Sequence, residues 1–247
     1  MKNLTIPRDY EMPKPEDNPL IQTNLNWKAP KISKSKKKNV RNEPVKQTVE
    51  IPIDYIPIPT INLAFAPEIT LKGKDWYDTH RAMIENPENG RMPTVAETWK
   101  AIFYAKEHLE EEGMQHLYDS ILKPTASGWH GEWQNDFYVQ DGDKMYVQHL
   151  IGFEGDNPKF SERVEISDYL SKNKLMDISS QSNLTEEGLC KKLSNKNSYS
   201  QGDNIYFWHP RDKRVAGFFA NSVDADLSCY RGPSDSDDSL GVRFVCG

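Results

Sequence analysis

Between Gly217 and Tyr230 the side chains alternate with period two, and they do so twice. Phe218, Ala220 and Ser222 fall on one side of an extended chain; Gly217, Phe219, Asn221 and Val223 fall on the other. After a break at Val223-Asp224, Ala225, Leu227 and Cys229 share a side, opposite Asp224, Asp226, Ser228 and Tyr230. Successive strand residues point to opposite faces, so the pattern predicts a β-hairpin. The side rich in small and apolar residues is expected to face inward. The other side mixes Gly, Phe, Asn, Val, Asp, Ser and Tyr. Packing would repeat similar residues there, and a plain solvated face would show Lys, Glu and Thr. An ordinary exposed hairpin and a surface kept for binding are both open readings.

Upstream signals place helices and a second hairpin. Thr94 with Glu97 three residues later forms a capping box, and Val95, Trp99, Ile102 and Phe103 follow on one face. A helix is expected over 95–112, and a shorter one through His116, Leu117, Ile121 and Leu122, ending before Pro124. Residues 128–153 read as β, with Asp141-Gly142-Asp143 turning Phe137-Tyr138-Val139 back into Met145-Tyr146-Val147. Residues 162–172 and 185–194 suggest two more short helices. Residues 51–71 alternate apolar residues with proline, which suits an edge strand or a polyproline-like chain laid on a domain.

Charge divides the chain. Residues 1–50 hold 11 Lys/Arg against 6 Asp/Glu, whereas the whole chain carries −6. Lys34, Lys36, Lys37, Lys38 and Arg41 cluster, and seven prolines lie between Pro7 and Pro52. So few apolar pairs cannot offset the entropy of ordering, so an extended arm or linker is expected. Clustered lysines can contact nucleic acid, but no aromatics interleave them for stacking, and that partner is not expected. No apolar run approaches the roughly 20 residues a bilayer requires. No signal sequence opens the chain, so synthesis in the cytoplasm is expected. Three cysteines are too few for a disulfide scaffold.

Familiar chemistry is hard to find. His80, His108, His116, His130, His149 and His209 lack metal-ligand spacing, and there is no phosphate loop and no Gly-x-Ser-x-Gly elbow. Trp133-Gln134-Asn135-Asp136 resembles the Trp-Asn-Asp calcium element of sugar-binding C-type lectins. Its partner element is missing, and calcium wants six to eight oxygens, so a turn between strands is expected there. Cys190 reads as core. Cys229 and Cys246 are expected to approach each other across neighbouring strands, as packed thiols or as a bond.

Two segments resemble a known family. Ser239-Leu240-Gly241-Val242-Arg243-Phe244-Val245-Cys246 resembles the Leu-Gly-Phe-Arg closing strand of the formylglycine-generating-enzyme branch of the C-type lectin fold. Arg91-Met92-Pro93-Thr94-Val95-Ala96-Glu97-Thr98-Trp99 resembles that branch's Leu-Pro-Thr-Glu-x-Glu-Trp helix start. Its catalytic form binds copper through a pair of nearby cysteines. Only Cys229 stands in the matching stretch, which implies that this chemistry is absent. Its ligand-binding form includes the variable proteins of diversity-generating retroelements, whose reverse transcriptase rewrites adenines in a C-terminal segment. Arg214 to Arg243 resembles such a segment, most closely those of archaeal viruses and related archaeal elements. Rewritten AAC-type Asn codons cannot reach Glu, Lys, Gln, Met or Trp. None of these five occurs at the outward hairpin positions, at Arg231 or at Gly232, and no Glu follows residue 187.

The resemblance implies an α+β, C-type lectin-like domain over 60–247, with two helices and a mixed, mainly antiparallel sheet. Residues 1–59 are expected to be the basic, proline-rich arm, and 200–243 the variable region. Ligand binding without catalysis is expected through Tyr206, Trp208, Gly217, Phe219, Asn221, Val223, Asp224, Asp226, Ser228, Tyr230, Arg231 and Gly232. No cofactor, metal or membrane insertion is expected. The partner would be a protein or cell-surface ligand, with a virion or other anchor engaging the arm. A formylglycine-generating-type oxidoreductase and a structural virion component are the alternatives.

Overall fold

The computed structural model describes residues 54–126 and 128–247. The arm expected over 1–59 therefore lies almost wholly outside the described residues. The strand β1 (Ile56–Ile58) pairs antiparallel with β2 (Leu63–Phe65), and Ile56 and Ile58 are core residues. The packed body thus begins before residue 60. Pro57 is tolerated because β1 lies at a sheet edge, where a missing N–H donor is harmless.

Three α-helices follow: α1 (Trp76–Glu85), α2 (Val95–Glu107) and α3 (Met114–Leu122). The expectation of two is corrected. In α1 the Asp75 carboxylate caps the helix by accepting the Asp78 N–H at 2.7 Å. The α2 capping box is complete: Thr94 Oγ1 accepts the Glu97 N–H, and Glu97 Oε2 accepts the Thr94 N–H.

The remaining chain is mostly sheet. Its strands are β3 (His130–Asp141), β4 (Lys144–Gln148), β5 (Leu150–Glu154), β6 (Asn157–Phe160), β7 (Val164–Ile166), β8 (Lys174–Asp177), β9 (Asn204–Trp208), β10 (Arg214–Ala220), β11 (Ala225–Arg231), β12 (Leu240–Gly241) and β13 (Val245–Cys246). The main sheet runs β7-β4-β3-β10-β11-β9-β8, with β12 added alongside β3, and curls like half a barrel. It is mixed: β11 with β9 and β12 with β3 are parallel, and the other pairs are antiparallel. The fold is α+β. In the expected β3–β4 hairpin Asp141 faces Lys144 across Gly142 and Asp143.

Two expected helices are not helices. The stretch 162–172 contains β7, which pairs with β4. The stretch 185–194 is a loop folded against α2. The Gly188 carbonyl accepts the Trp99 indole N–H at 2.9 Å, and a Cβ at Gly188 would meet the Ala96 nitrogen at 3.0 Å. Gly188 has φ +88°, a left-handed value that would break a helix.

Consecutive residues of β10 enter two different cores. Phe218 joins Trp99, Ile102, Leu117, Phe207 and Leu227 under α2 and α3. Phe219 joins Trp76, Trp133, Phe137 and Leu240 on the face that α1 covers. The second core contains no residue of β9 or β11. Among the described residues, apolar cores therefore pack on both faces of the main sheet at β3 and β10, and on one face at β11 and β9.

The segments that carried the family resemblance meet in space. Arg91 and Val245 exchange backbone hydrogen bonds at 2.9 and 2.8 Å, and β13 pairs with β2. Arg243 is buried and uses every donor it has. Its guanidinium grips the Glu132 carboxylate and also donates to the carbonyls of Ala66 and Pro67 and to Ser120 Oγ.

Candidate ligand-binding face

Strand register assembles the face. Asp226 on β11 lies opposite Phe219 on β10 and Tyr206 on β9. Ser228 lies opposite Gly217 and Trp208. Directly opposed residues share a side of the sheet, so these side chains form two adjacent rows. A bulge then matters: two steps along β10, from Val215 to Gly217, oppose three along β11, from Arg231 to Ser228. The extra residue brings adjacent Tyr230 and Arg231 to the same face. The Tyr230 ring lies 5.3 Å from Trp208, whose ring lies 4.9 Å from Tyr206. The Arg231 guanidinium sits 4.6 Å above Phe219 and 5.6 Å from Trp129, and Arg211 sits 5.5 Å from Tyr230. Neither guanidinium has a hydrogen bond or salt bridge among the described residues.

The sequence-predicted residues divide by what holds them. Tyr206, Trp208, Asp226, Tyr230 and Arg231 are half-buried on this face. Phe219 is corrected: it is 5% exposed, a core residue rather than an outward one. Its ring lies over the two glycines beside it, since a Cβ on Gly131 or Gly217 would come within 2.4 or 2.8 Å of it. Gly217 is therefore buried as well. Ser228 is buried too, and its Oγ has no partner among the described residues. Gly232 is buried in the next turn, where its N–H donates to the Asp235 carboxylate at 2.9 Å. Asn221 and Asp224 close the β10–β11 turn. The Asn221 side chain donates to the Asp224 carboxylate and accepts the N–H groups of Val223 and Asp224. Val223 stands at the tip, 71% exposed.

Sequence reasoning missed Trp129 and Arg211. Trp129 lies two residues before Gly131, so it shares the face of Gly131 and Phe219. Only the β3–β10 register could have revealed this.

Asp226 is the electrostatic centre of the face. Burial pushes its carboxyl up to about 7, Asp224 adds to the rise, and Arg231 opposes it. Burial also raises the Tyr206 hydroxyl, with Asp224 and Asp226 adding to it.

The remaining candidates resolve as structure. Trp133-Gln134-Asn135-Asp136 is no turn but the middle of β3. Asp136 is buried and accepts the Val95 N–H at the start of α2 at 2.8 Å, while the Asn135 side chain holds the Leu150 backbone. The expected approach of Cys229 to Cys246 is corrected as well. Cys229 accepts the Tyr138 hydroxyl at 3.4 Å and lies between β10 and β9. Cys246 lies beside Asn89 and Gly90, on a strand paired with β2. All three cysteines are free and buried. Burial raises Cys229 well above the usual thiol range. Among the described residues no group of three or more His, Cys, Asp or Glu could hold a metal ion, and no helix is long and apolar enough to cross a membrane.

The chain matches no family model, no curated protein and no solved structure.

Proposed function

We propose that the protein is a non-catalytic ligand-binding protein, displaying a diversified surface on a C-type lectin-like scaffold. The surface is the uncovered sheet face of β9 and β11. The observation that carries the reading is the pair Arg211 and Arg231. Both guanidiniums are held over aromatic rings, yet among the described residues neither makes a hydrogen bond or salt bridge. Arginine and aromatic side chains contribute most to binding where they are pre-positioned, because little ordering remains to be done. Support for the scaffold comes from the contact between the two family-like segments, the Arg91 and Val245 exchange. Support for diversification is the codon reach of the outward positions. Packing narrows the positions free to vary to Val223, Asp226, Tyr230 and Arg231, because Gly217, Phe219, Ser228 and Gly232 are buried and Asn221 and Asp224 hold the turn; Tyr206 and Trp208, upstream of the rewritten segment, rim the surface as fixed residues.

Sequencing many copies of the gene from one natural population tests this. Differences concentrated at the narrowed positions, with Phe218, Leu227 and Arg243 unchanged, are the expected result. Differences scattered evenly over the surface would favour a structural component. Bound copper that is lost in Cys229→Ser would favour the oxidoreductase.

A further inference from the structure

We propose that the protein has a second ligand site: a cleft beneath α1 that takes a small uncharged molecule with an apolar body and one hydroxyl group. The cleft measures about 530 Å³, within the range of small-molecule sites, and none of its lining residues belongs to β9, β10 or β11. It is therefore independent of the face described above.

Its floor is apolar: Met83 from α1, Met92, and Leu150 from β5 are all buried. Its lips are apolar too. Ile84 is 51% exposed and Ile151 is 59% exposed. Among the described residues only five large hydrophobics are 41% or more exposed, and two of them flank this one cleft. An apolar body laid between them would remove both from water.

Two imidazoles supply the polar contact. His80 is buried, its ring fixed edge-on to Trp76 at 4.4 Å, and its Nε2 has no hydrogen-bond partner among the described residues. Such atoms are rare in folded proteins and call for a ligand or a water. His149 lines the cleft as well. Its Nδ1 lies 2.5 Å from the Asn135 carbonyl, which can only accept, so Nδ1 carries a proton and Nε2 is the ring atom left for a ligand. A hydroxyl both donates and accepts, and can serve either ring.

Charge selects against ions. The lining's formal charges, Arg91 and Glu97, neutralise each other through two hydrogen bonds of 2.8 and 2.6 Å.

The test is a titration of the full chain with 1-naphthol, using naphthalene as the control that lacks the hydroxyl. Histidine Cε1–H resonances and the melting temperature are followed. One 1-naphthol per chain should bind, shift the His80 and His149 signals, and bind about tenfold more tightly than naphthalene, the worth of one hydrogen bond. Ile84→Glu with Ile151→Glu, both at exposed positions, should weaken binding about tenfold or more while the melting temperature of the free protein stays within a few degrees. Trp208→Ala should leave it unchanged, which keeps this site's outcome separate from that of the sheet face. Unmoved histidine signals, equal affinity for the two compounds, or binding that survives the double substitution would overturn the proposal.

Discussion

Arg243 and Glu132 show how much one residue can decide. Each is a charge taken wholly out of water, and each is satisfied only by the other and its immediate neighbours. Arg243→Met leaves the Glu132 carboxylate buried and alone, which should cost about 3–5 kcal/mol in urea denaturation. Glu132→Leu combined with Arg243→Met should recover most of that loss, because no buried charge is left unpaired. Two aspartates act in the opposite sense. Burial raises Asp226 to about 7, and burial, partly opposed by His149, raises Asp136 to about 6. The folded state therefore holds these protons more tightly than the unfolded chain, whose aspartates titrate near 4. Stability should rise as pH falls from 8 toward 5. Asp177 works the other way: burial resists, but Lys192 and Ser179 pull it down to about 2, and its contribution disappears as pH falls below 4. A urea midpoint measured against pH should peak near the mildly acidic end, and Asp226→Asn should flatten the limb above pH 6.

At the scale of elements, burial separates the two sides of the hairpin in a way that can be measured. Trp208→Ala with Tyr230→Ala removes half-exposed rings and should lower the melting temperature by only a few degrees. Leu227→Asp should unfold the domain by burying a carboxylate without a partner. Phe219→Ala should cost about 3–5 kcal/mol, since the ring fills the space above Gly131 and Gly217. That last value would be small if Phe219 were an outward residue, which is how its period-two position reads. Alternation assigns residues to two sides but does not say whether both sides are covered. At β10 both are, and only the nonlocal neighbours α1 and β12 reveal it. Local signals were legible. The Thr94–Glu97 box and the Asp141-Gly142 turn lie within a few residues of the structures they set. The bulge that turns Tyr230 and Arg231 to one face depends on β10 and was not legible. The helical reading of 185–194 failed for a related reason: Gly188 is fitted to Trp99, far away in sequence.

For the whole molecule, the boundary between arm and body can be tested by truncation. Removing residues 1–45 should leave the melting temperature within a few degrees, because that stretch is poor in apolar residues and rich in lysine and proline. Removing residues 1–58 should abolish cooperative unfolding, because Ile56 and Ile58 leave the core with it. Aggregation of the shorter truncation would show that the arm contributes to packing. The closing contact spans most of the chain: Arg243 reaches the Ala66 carbonyl, 177 positions earlier. Such distant pairing slows folding, because loop closure precedes any reward. If the hairpin is diversified as proposed, the same contact would also work as a proofreader. Rewriting of the stretch between Arg214 and Tyr230, on that proposal, would change its residues while the reading frame stays in place. A lost or gained nucleotide there would scramble every later codon, replace Arg243 and strand Glu132 in the core. Copies translated in the wrong frame would therefore never mature, and the fold itself would filter the repertoire.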